Sequence, residues 1–392
     1  MPMAIPHFDH AAYYRRDQTA TDAAIHRVLE RGTPIMGPEV AAFEAAFAEL
    51  CGVRHAVGVM SGTAAMLLGL KALGVGPGDE VVTVANSDVP TTLAILHAGA
   101  RPVYAEIDGT TFNLDPAALP AVLGPRTKAV LPVHLYGVPA DMDPILEVAR
   151  AHGVPVLEDA ALATGATYRG RPTGGLGDVG AFSTAPAKVL GGIGSGGVIT
   201  TDDDAVHARL LQWRHYGRER SAYPAEAVDP SEMPGATLVP GYNERLDTVD
   251  AAVLLVRLPR LAGDLAVRRA HHARYVAHVA GSAAQVQAAP AGAEPSRRVV
   301  VVRVPDRDRV YAELRRAGIE VTLPYLPANH LDACTRDLGY RRGDLPRTEA
   351  FCDTMLALPS HPFLSVAQVD EVGDALVSAI GPHAEPVTDR RG

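Results

Sequence analysis

Between residues 81 and 201, six short apolar runs alternate with helical or turn-forming stretches. The runs are VVTVA (81–85), RPVYAEI (101–107), AVLPVHL (129–135), VPVLED (154–159), VGAFS (179–183) and GGVITT (196–201). Helical spacing is expected at 90–98, 116–123 and 142–152. Strands of this length alternating with helices predict an α/β fold with a mainly parallel sheet covered by helices. Upstream, residues 38–50 put Val40, Phe43, Phe47 and Leu50 at helical spacing, and a second helix is expected over 63–73. After about residue 240 the pattern changes: a long helical stretch at 247–279, a strand RRVVVVRV at 297–304, and helices at 307–317 and 367–379. This predicts a large domain over 1–246 and a smaller α+β C-terminal domain over 247–392 that begins with the connecting helix.

Composition narrows the function classes. A formal charge of −9 argues against a nucleic-acid partner, which calls for a basic face. No apolar run nears the ~20 residues of a membrane span, and the N-terminus MPMAIPHFDH carries no secretory pattern. Cys51, Cys334 and Cys352 are widely spaced, suggest no disulfide framework, and fit a reducing cytoplasm. No His, Asp or Glu spacing resembles a metal site. Of 36 basic residues only Lys71, Lys128 and Lys188 are lysine, so lysine chemistry has three candidates.

Three motifs carry chemistry. In SGTAAM (61–66) a glycine turn opens a helix, whose N-terminal amides and the Thr63 hydroxyl suit a phosphate; an ordinary helix cap has the same letters. In EDAALATGA (158–166), Asp159 follows an apolar strand, where α/β proteins bind ligands; a core-edge aspartate reads alike. In AFSTAPAKVLGGIGSGGVITT (181–201), Lys188 sits among Ala, Pro, Val, Leu and Gly. A lysine desolvated by such neighbours becomes a competent amine nucleophile, whereas Lys71 and Lys128 have the surroundings of surface residues. A phosphate turn, an aspartate for a ring nitrogen and an amine for an aldehyde are the parts of a pyridoxal-phosphate site.

Those motifs, with PIMGPEVAAFEAAFAELCGVRHAVGVMSGTAAM (34–66), PRTKAVLPVHLYGVPADMD (125–143), FSTAPAKVLGGIGSGG (182–197) and GYNERLDTVDAAVLLVRLPRL (241–261), resemble the DegT/StrS family of sugar aminotransferases. That family lies within the aspartate-aminotransferase (fold type I) superfamily, and the resemblance runs over roughly residues 30–380. It implies pyridoxal 5'-phosphate as cofactor and Lys188 as Schiff-base lysine and proton carrier. Asp159 becomes the pyridinium partner; Gly62, Thr63 and Ala64 form the phosphate turn, with Ser183 as an added hydroxyl. Asn243 matches an asparagine that reaches the phosphate from the neighbouring subunit, which implies a homodimer with shared sites. His134 and Tyr136 lie in the family's HLYG motif, and His215 and Tyr216 in WRHYGRER; His134, Tyr136 and His215 are carried forward, with Asp88, as substrate-contact candidates.

The chain departs from the family pattern in three places. Asp88 takes the position of an aromatic residue on the cofactor face, Leu162 that of a polar residue near the ring hydroxyl, and Ser195 that of an aspartate after the lysine. The expected reaction is ping-pong transfer of an amino group from L-glutamate or L-glutamine to a keto-sugar, nucleotide-linked in the family's antibiotic and surface-glycan pathways. Dehydration ranks second, because relatives that dehydrate sugars have lost the lysine that Lys188 retains. A non-catalytic, cofactor-binding homologue is a third expectation, and the segment 218–238 is expected to be a variable loop near the pocket.

Overall fold

The computed structural model describes residues 4–218 and 237–382, together with 384, 385 and 387, so the expected loop at 218–238 falls, but for its ends, outside the described residues. In chain order, α1 (His10–Arg31) and α2 (Pro38–Cys51) precede β1 (His55–Val59), α3 (Gly62–Ala72), β2 (Glu80–Val84), α4 (Val89–His97) and β3 (Arg101–Ala105). Then come α5 (Leu119–Val122), β4 (Thr127–Val130), α6 (Met142–Ala151), β5 (Leu157–Asp159), β6 (Thr167–Tyr168), β7 (Arg171–Pro172), β8 (Val179–Ser183), β9 (Gly197–Thr201) and α7 (Asp204–Trp213). The C-terminal part adds α8 (Thr248–Arg257), α9 (Leu261–Val279), β10 (Gln285–Val286), β11 (Ala293–Glu294), β12 (Val300–Arg303), α10 (Arg307–Arg316), α11 (Pro346–Thr354), β13 (Met355–Leu358) and α12 (Val366–Ile380). Among the described residues no helix is long and apolar enough to cross a membrane.

Strands β3-β2-β4 and β5-β8 pair in parallel, and the bridges Val130↔Val156 and Val133↔Asp159 continue the parallel order from β4 to β5. Beyond β8, β9 runs antiparallel to both β8 and β1. The order is therefore β3-β2-β4-β5-β8-β9-β1, mainly parallel with one reversed strand near its edge. Every residue of β5, β8 and β9 is buried, which is why these runs are apolar or small rather than alternating. Helix α3 lies so close to this sheet that a Cβ on Gly69 would stand 2.6 Å from Leu157 Cδ1.

Two expected elements are broken by proline. The run 129–135 is a ladder strand only to Val130, because Pro132 has no N–H to donate; its carbonyl instead accepts from Asp159 N at 2.9 Å. The stretch 247–279 is not one helix: Leu258–Arg260 forms a single tight turn around Pro259 between α8 and α9. Strands β1, β6, β7, β10, β11 and β13 and helices α1, α7 and α11 lie outside the elements expected from the sequence.

The small sheet, β10-β12-β13, is antiparallel. Its continuous VVVV has a direct cause. Val300 and Val302 join a core with Val310, Leu314, Leu356, Leu358, Val372 and Leu376, while Val301, Met355 and Ala357 point the other way into the large core. Side chains alternate across a strand, so a strand buried on both faces is apolar throughout. The chain also crosses the expected boundary at 246: Ile5 pairs with Ile319 and packs in the C-terminal core, and α8 packs on α1 and α2. Fully buried Arg268 ties these parts together, donating to Arg298 O (3.0 Å), Ser360 O (2.9 Å) and the Tyr13 hydroxyl (2.9 Å).

Glu158 is fully buried beside Asp159 and accepts from the amides of Gly174 (2.9 Å), Leu176 (2.8 Å) and Gly177 (2.7 Å). His134 Nδ1 accepts from Ala140 N, so Nε2 carries the proton and donates to Glu158 Oε2 at 2.9 Å. Glu158→Ala strands three amides and a histidine at once. We expect it to cost about 3–5 kcal/mol in urea unfolding; a loss below about 1 kcal/mol would show that this cluster does not hold the strand end.

Candidate functional site

The carboxyl end of β5, the N-terminus of α3 and the turn after β8 meet at a cavity of about 240 Å³ whose walls include Gly62, Thr63, Asp159, Ser183 and Lys188. The convergence is local in origin. Successive side chains on β5 face opposite ways, so Glu158 turns into its cluster of amides and Asp159 turns to the cavity.

Asp159 is 4 % exposed. Its Oδ2 accepts from Thr91 Oγ1 (2.8 Å) and its Oδ1 from Ala161 N (3.1 Å). Burial raises its pKa, and the Thr91 and Ala161 donors and the positive charge of Lys188 work against that rise. A carboxylate held this way is an anchored acceptor with no cationic side chain in contact among the described residues.

Lys188 closes a turn in which its amide donates to Ala185 O at 2.8 Å. Burial lowers its pKa; Arg298 lowers it further, while Asp159 and Asp88 raise it. An amine pushed toward its neutral form has the character that nucleophilic attack requires. Lys71 and Lys128 do not line this cavity.

At α3 the cap is Ser61, whose Oγ accepts from Ala64 N at 3.0 Å, so the Ala64 amide is spent on the helix. The amides of Gly62 and Thr63 have no protein acceptor among the described residues, and with the Thr63 hydroxyl they are the groups left for an anion. Ala64 does not line the cavity. Ser183 faces this end, and a Cβ on Gly62 would stand 2.8 Å from Ser183 Cβ; glycine here leaves the backbone open beside the serine.

The remaining candidates separate. Asp88 lines this cavity and caps α4, its Oδ1 accepting from Val89 N at 3.0 Å. Leu162 also lines it, with only its carbonyl engaged, by Ser296 Oγ at 2.8 Å. Tyr136 lines not this cavity but an adjoining one of about 330 Å³, stacked on Tyr325 at 5.6 Å. His134 belongs to the Glu158 cluster and lines neither cavity, so its ring is spent on structure. His215 is buried outside both; Arg245 lies 3.1 Å from its Nδ1, and burial followed by the nearby arginines lowers its pKa to about 4. Asn243 is exposed, pairs with His215 through the backbone, and does not reach the cavity of its own chain.

Sequence reasoning missed Thr91, Tyr325 and Arg298. Thr91 stands in the VANSDVPTT segment whose Asp88 drew notice, but no local signal ties its hydroxyl to Asp159. Tyr325 and Arg298 come from the C-terminal part, and only the fold brings them to Lys188.

The model of the DegT/DnrJ/EryC1/StrS aminotransferase family matches residues 16–377. A dTDP-3-amino-3,4,6-trideoxy-alpha-D-glucose transaminase of Streptomyces venezuelae is 39% identical over 95% of each chain. The crystal structure of S. venezuelae DesV with a ketimine intermediate superposes with a TM-score of 0.90 at 39% identity, over 96% of this chain and 98% of that one. The structure of NtdA from Bacillus subtilis with bound cofactor PMP gives a TM-score of 0.82 at 27% identity, over 93% of this chain and 82% of that one.

Asp250 holds the glycine-rich segment after Lys188: its Oδ1 accepts from Ile193 N (2.7 Å) and Gly194 N (3.2 Å), while its Oδ2 is buried without a partner. Burial pushes this carboxyl up to about 6, against the two amides that lower it. A carboxyl raised on folding contributes most below its unfolded value, near ~4, and that contribution is lost as pH rises through about 6. Asp250→Asn keeps the acceptor and removes the charge. Its stability advantage over wild type is expected to grow by about 1 kcal/mol between pH 5 and pH 8; thermal unfolding at the two pH values measures it, and an unchanged difference would contradict the assignment.

Proposed function

The chain belongs to the DegT/DnrJ/EryC1/StrS aminotransferase family, and from that membership we propose that it uses pyridoxal 5'-phosphate to move an amino group from L-glutamate or L-glutamine to a keto-sugar. The observation that carries this reading is the sharing of one cavity by Lys188, Asp159 and the free amides of Gly62 and Thr63. The nucleotide-linked sugar in the name of the S. venezuelae relative supports an acceptor of the same class here.

The residues present fit the cofactor. The amides of Gly62 and Thr63, with the Thr63 and Ser183 hydroxyls, would hold the phosphate; the opening that a Cβ on Gly62 would fill lies beside Ser183. Asp159, fixed by Thr91 and Ala161, would hold the ring nitrogen in its protonated form. Lys188 would reach the aldehyde. When bound, pyridoxal phosphate supplies an electron-accepting ring and a carrier for the amino group.

The side chains then have separable tasks. The buried Asp159 carboxylate would stabilise a positive charge on the ring nitrogen of a bound cofactor. The Lys188 amine, favoured in its neutral form by burial, takes a proton from the donor Cα and returns one to the acceptor carbon, acting as base and then acid. Met66, Leu162 and Tyr325 wall the cavity with apolar surface, which keeps the amine desolvated. Asp88, at the mouth of the site, is placed to read acceptor hydroxyls. Asn243, exposed and away from its own cavity, fits a role in the site of a second copy, so we take the working unit to be a homodimer. A cytoplasmic location is part of the same proposal, in keeping with cysteines that are all unpaired.

The test is the visible absorbance of the protein with pyridoxal phosphate. Wild type is expected to show the band of a lysine-linked cofactor, bleached by L-glutamate or L-glutamine, and Lys188→Ala to show no such band. A band of equal strength in Lys188→Ala would remove this lysine from the chemistry. Thr91→Val deletes one hydrogen bond to the Asp159 carboxylate and is expected to lower kcat/KM roughly tenfold or more.

A further inference from the structure

Lys188 stands in the loop between β8 and β9, and that loop is closed on itself. Gly192 N donates to Thr184 O (2.7 Å), Thr184 N donates to Gly196 O (2.8 Å), and Lys188 N donates to Ala185 O (2.8 Å). The second half of the loop, GGIGSG (191–196), holds four glycines, and none of its residues lines either cavity beside Lys188. A run so rich in glycine has many conformations open to it, so a single one has to be selected from outside the loop.

Helix α8 does this with two charged side chains. Asp250 and Arg257 lie seven residues apart, about two turns along one face of the helix. Asp250 Oδ1 accepts from Ile193 N (2.7 Å) and Gly194 N (3.2 Å), while Arg257 Nη1 donates to Gly192 O (2.8 Å) and to Gly191 O. The carboxylate takes amides and the guanidinium takes carbonyls, so four consecutive residues are gripped through both ends of their peptide dipoles. The glycines stand where this grip requires them. A Cβ on Gly192 would lie 2.2 Å from Asp250 Oδ1, and one on Gly191 would lie 2.4 Å from Pro186 O, on the limb that carries Lys188. A Cβ on Gly196 would lie 2.2 Å from Thr184 Oγ1 and 3.0 Å from Asp250 Oδ2. Helix α8 is itself fixed: Ala252 packs with Ala24 and Val28 of α1, and Thr248 Oγ1 accepts from Gly37 N at 2.8 Å.

Stability alone is a poor reason for this design. Asp250 and Arg257 are 4 % and 8 % exposed, and Asp250 Oδ2 and Arg257 Nε are buried with no hydrogen-bond partner among the described residues. Buried charges satisfied in part gain little over apolar side chains of like volume; what they add is one permitted arrangement of the groups they hold. We propose that Asp250 and Arg257 are positioning residues for the reaction, fixing the loop so that the Lys188 amine is presented to the reacting carbon alongside Asp159. This rests on the aminotransferase reading above. Neither residue lines either cavity, so both act through the backbone of 191–194.

The test uses the pyridoxal-phosphate-loaded enzyme and follows bleaching of the lysine-linked band by L-glutamate or L-glutamine in stopped flow. Rates are counted per loaded site, below the melting temperature of each variant. Asp250→Ala and Arg257→Met are each expected to lower the limiting rate roughly ten- to a hundredfold, because a displacement of about 1 Å at the reacting atoms suffices for such a loss. Apparent donor affinity is expected to stay within about threefold, since no cavity wall is altered. Asp250→Asn keeps an acceptor for the two amides and is expected to fall between wild type and Asp250→Ala. A limiting rate within about twofold of wild type in either truncation removes that residue from the proposal, and in both overturns it. A loss confined to melting temperature or cofactor loading overturns it too. Hydrogen exchange on wild type carries the test if the variants do not fold. Protection of the 191–196 peptide matching that of α8 is expected, although Ile193 is exposed, and exchange at open-loop rates would overturn the proposal. A wild type without the lysine-linked band would instead strike the functional reading, while hydrogen exchange still tests the grip of α8 on the loop.

Discussion

Two consecutive carboxylates, Glu158 and Asp159, are buried on opposite faces of the short strand β5, and the site can exist only because both are satisfied there. Burying an acid without donors costs several kcal/mol or forces it to take up a proton. Glu158 meets the cost with three backbone amides and the ring of His134, which pins the 174–177 turn and the HLYG segment to the strand end. Asp159 meets it with Thr91 and Ala161, and keeps its remaining capacity for whatever fills the cavity. The structural cluster on one face thereby holds the cavity-lining carboxylate on the other.

The second dependence is the small sheet. Because β12 is buried on both faces, it serves as a shared wall between the large core and the C-terminal core. The residues leading into it, Arg297 and Arg298, are held close to the large unit: Arg298 bonds to the backbone of Tyr136 and of Ala187, and Arg268 holds its carbonyl. Tyr325, from the segment between α10 and α11, stacks on Tyr136. Within one chain, the Gly62, Thr63 and Ser183 end of the first cavity thus comes from the large unit, and the adjoining cavity is lined from both.

The legible part of the site was the part encoded within a few residues. A serine-glycine-threonine turn before a helix, an aspartate after an apolar run and a lysine among small apolar residues each announce a local backbone arrangement, and Gly62, Thr63, Asp159, Ser183 and Lys188 do line one cavity. Ala64 stands apart from them, its amide taken by the Ser61 cap. His134 looked like a substrate contact from its motif, yet motif membership cannot tell a ring facing a ligand from one facing a buried glutamate a strand away.

By itself the sequence determined the alternation of strand and helix, the mainly parallel sheet, the identity of the one lysine set among apolar neighbours, and the family. The family rests on the resemblance of whole motifs; the rest follows from periodicity, turn chemistry and composition, which act over a few residues at a time. Only the tertiary structure decided that Thr91 steadies Asp159, that proline splits two expected elements, and that Arg298 and Tyr325 stand at Lys188 across more than a hundred residues of chain. Those contacts are set by which faces of β12 and β5 are buried and against what, and burial of a face is a property of the packed molecule rather than of any local stretch.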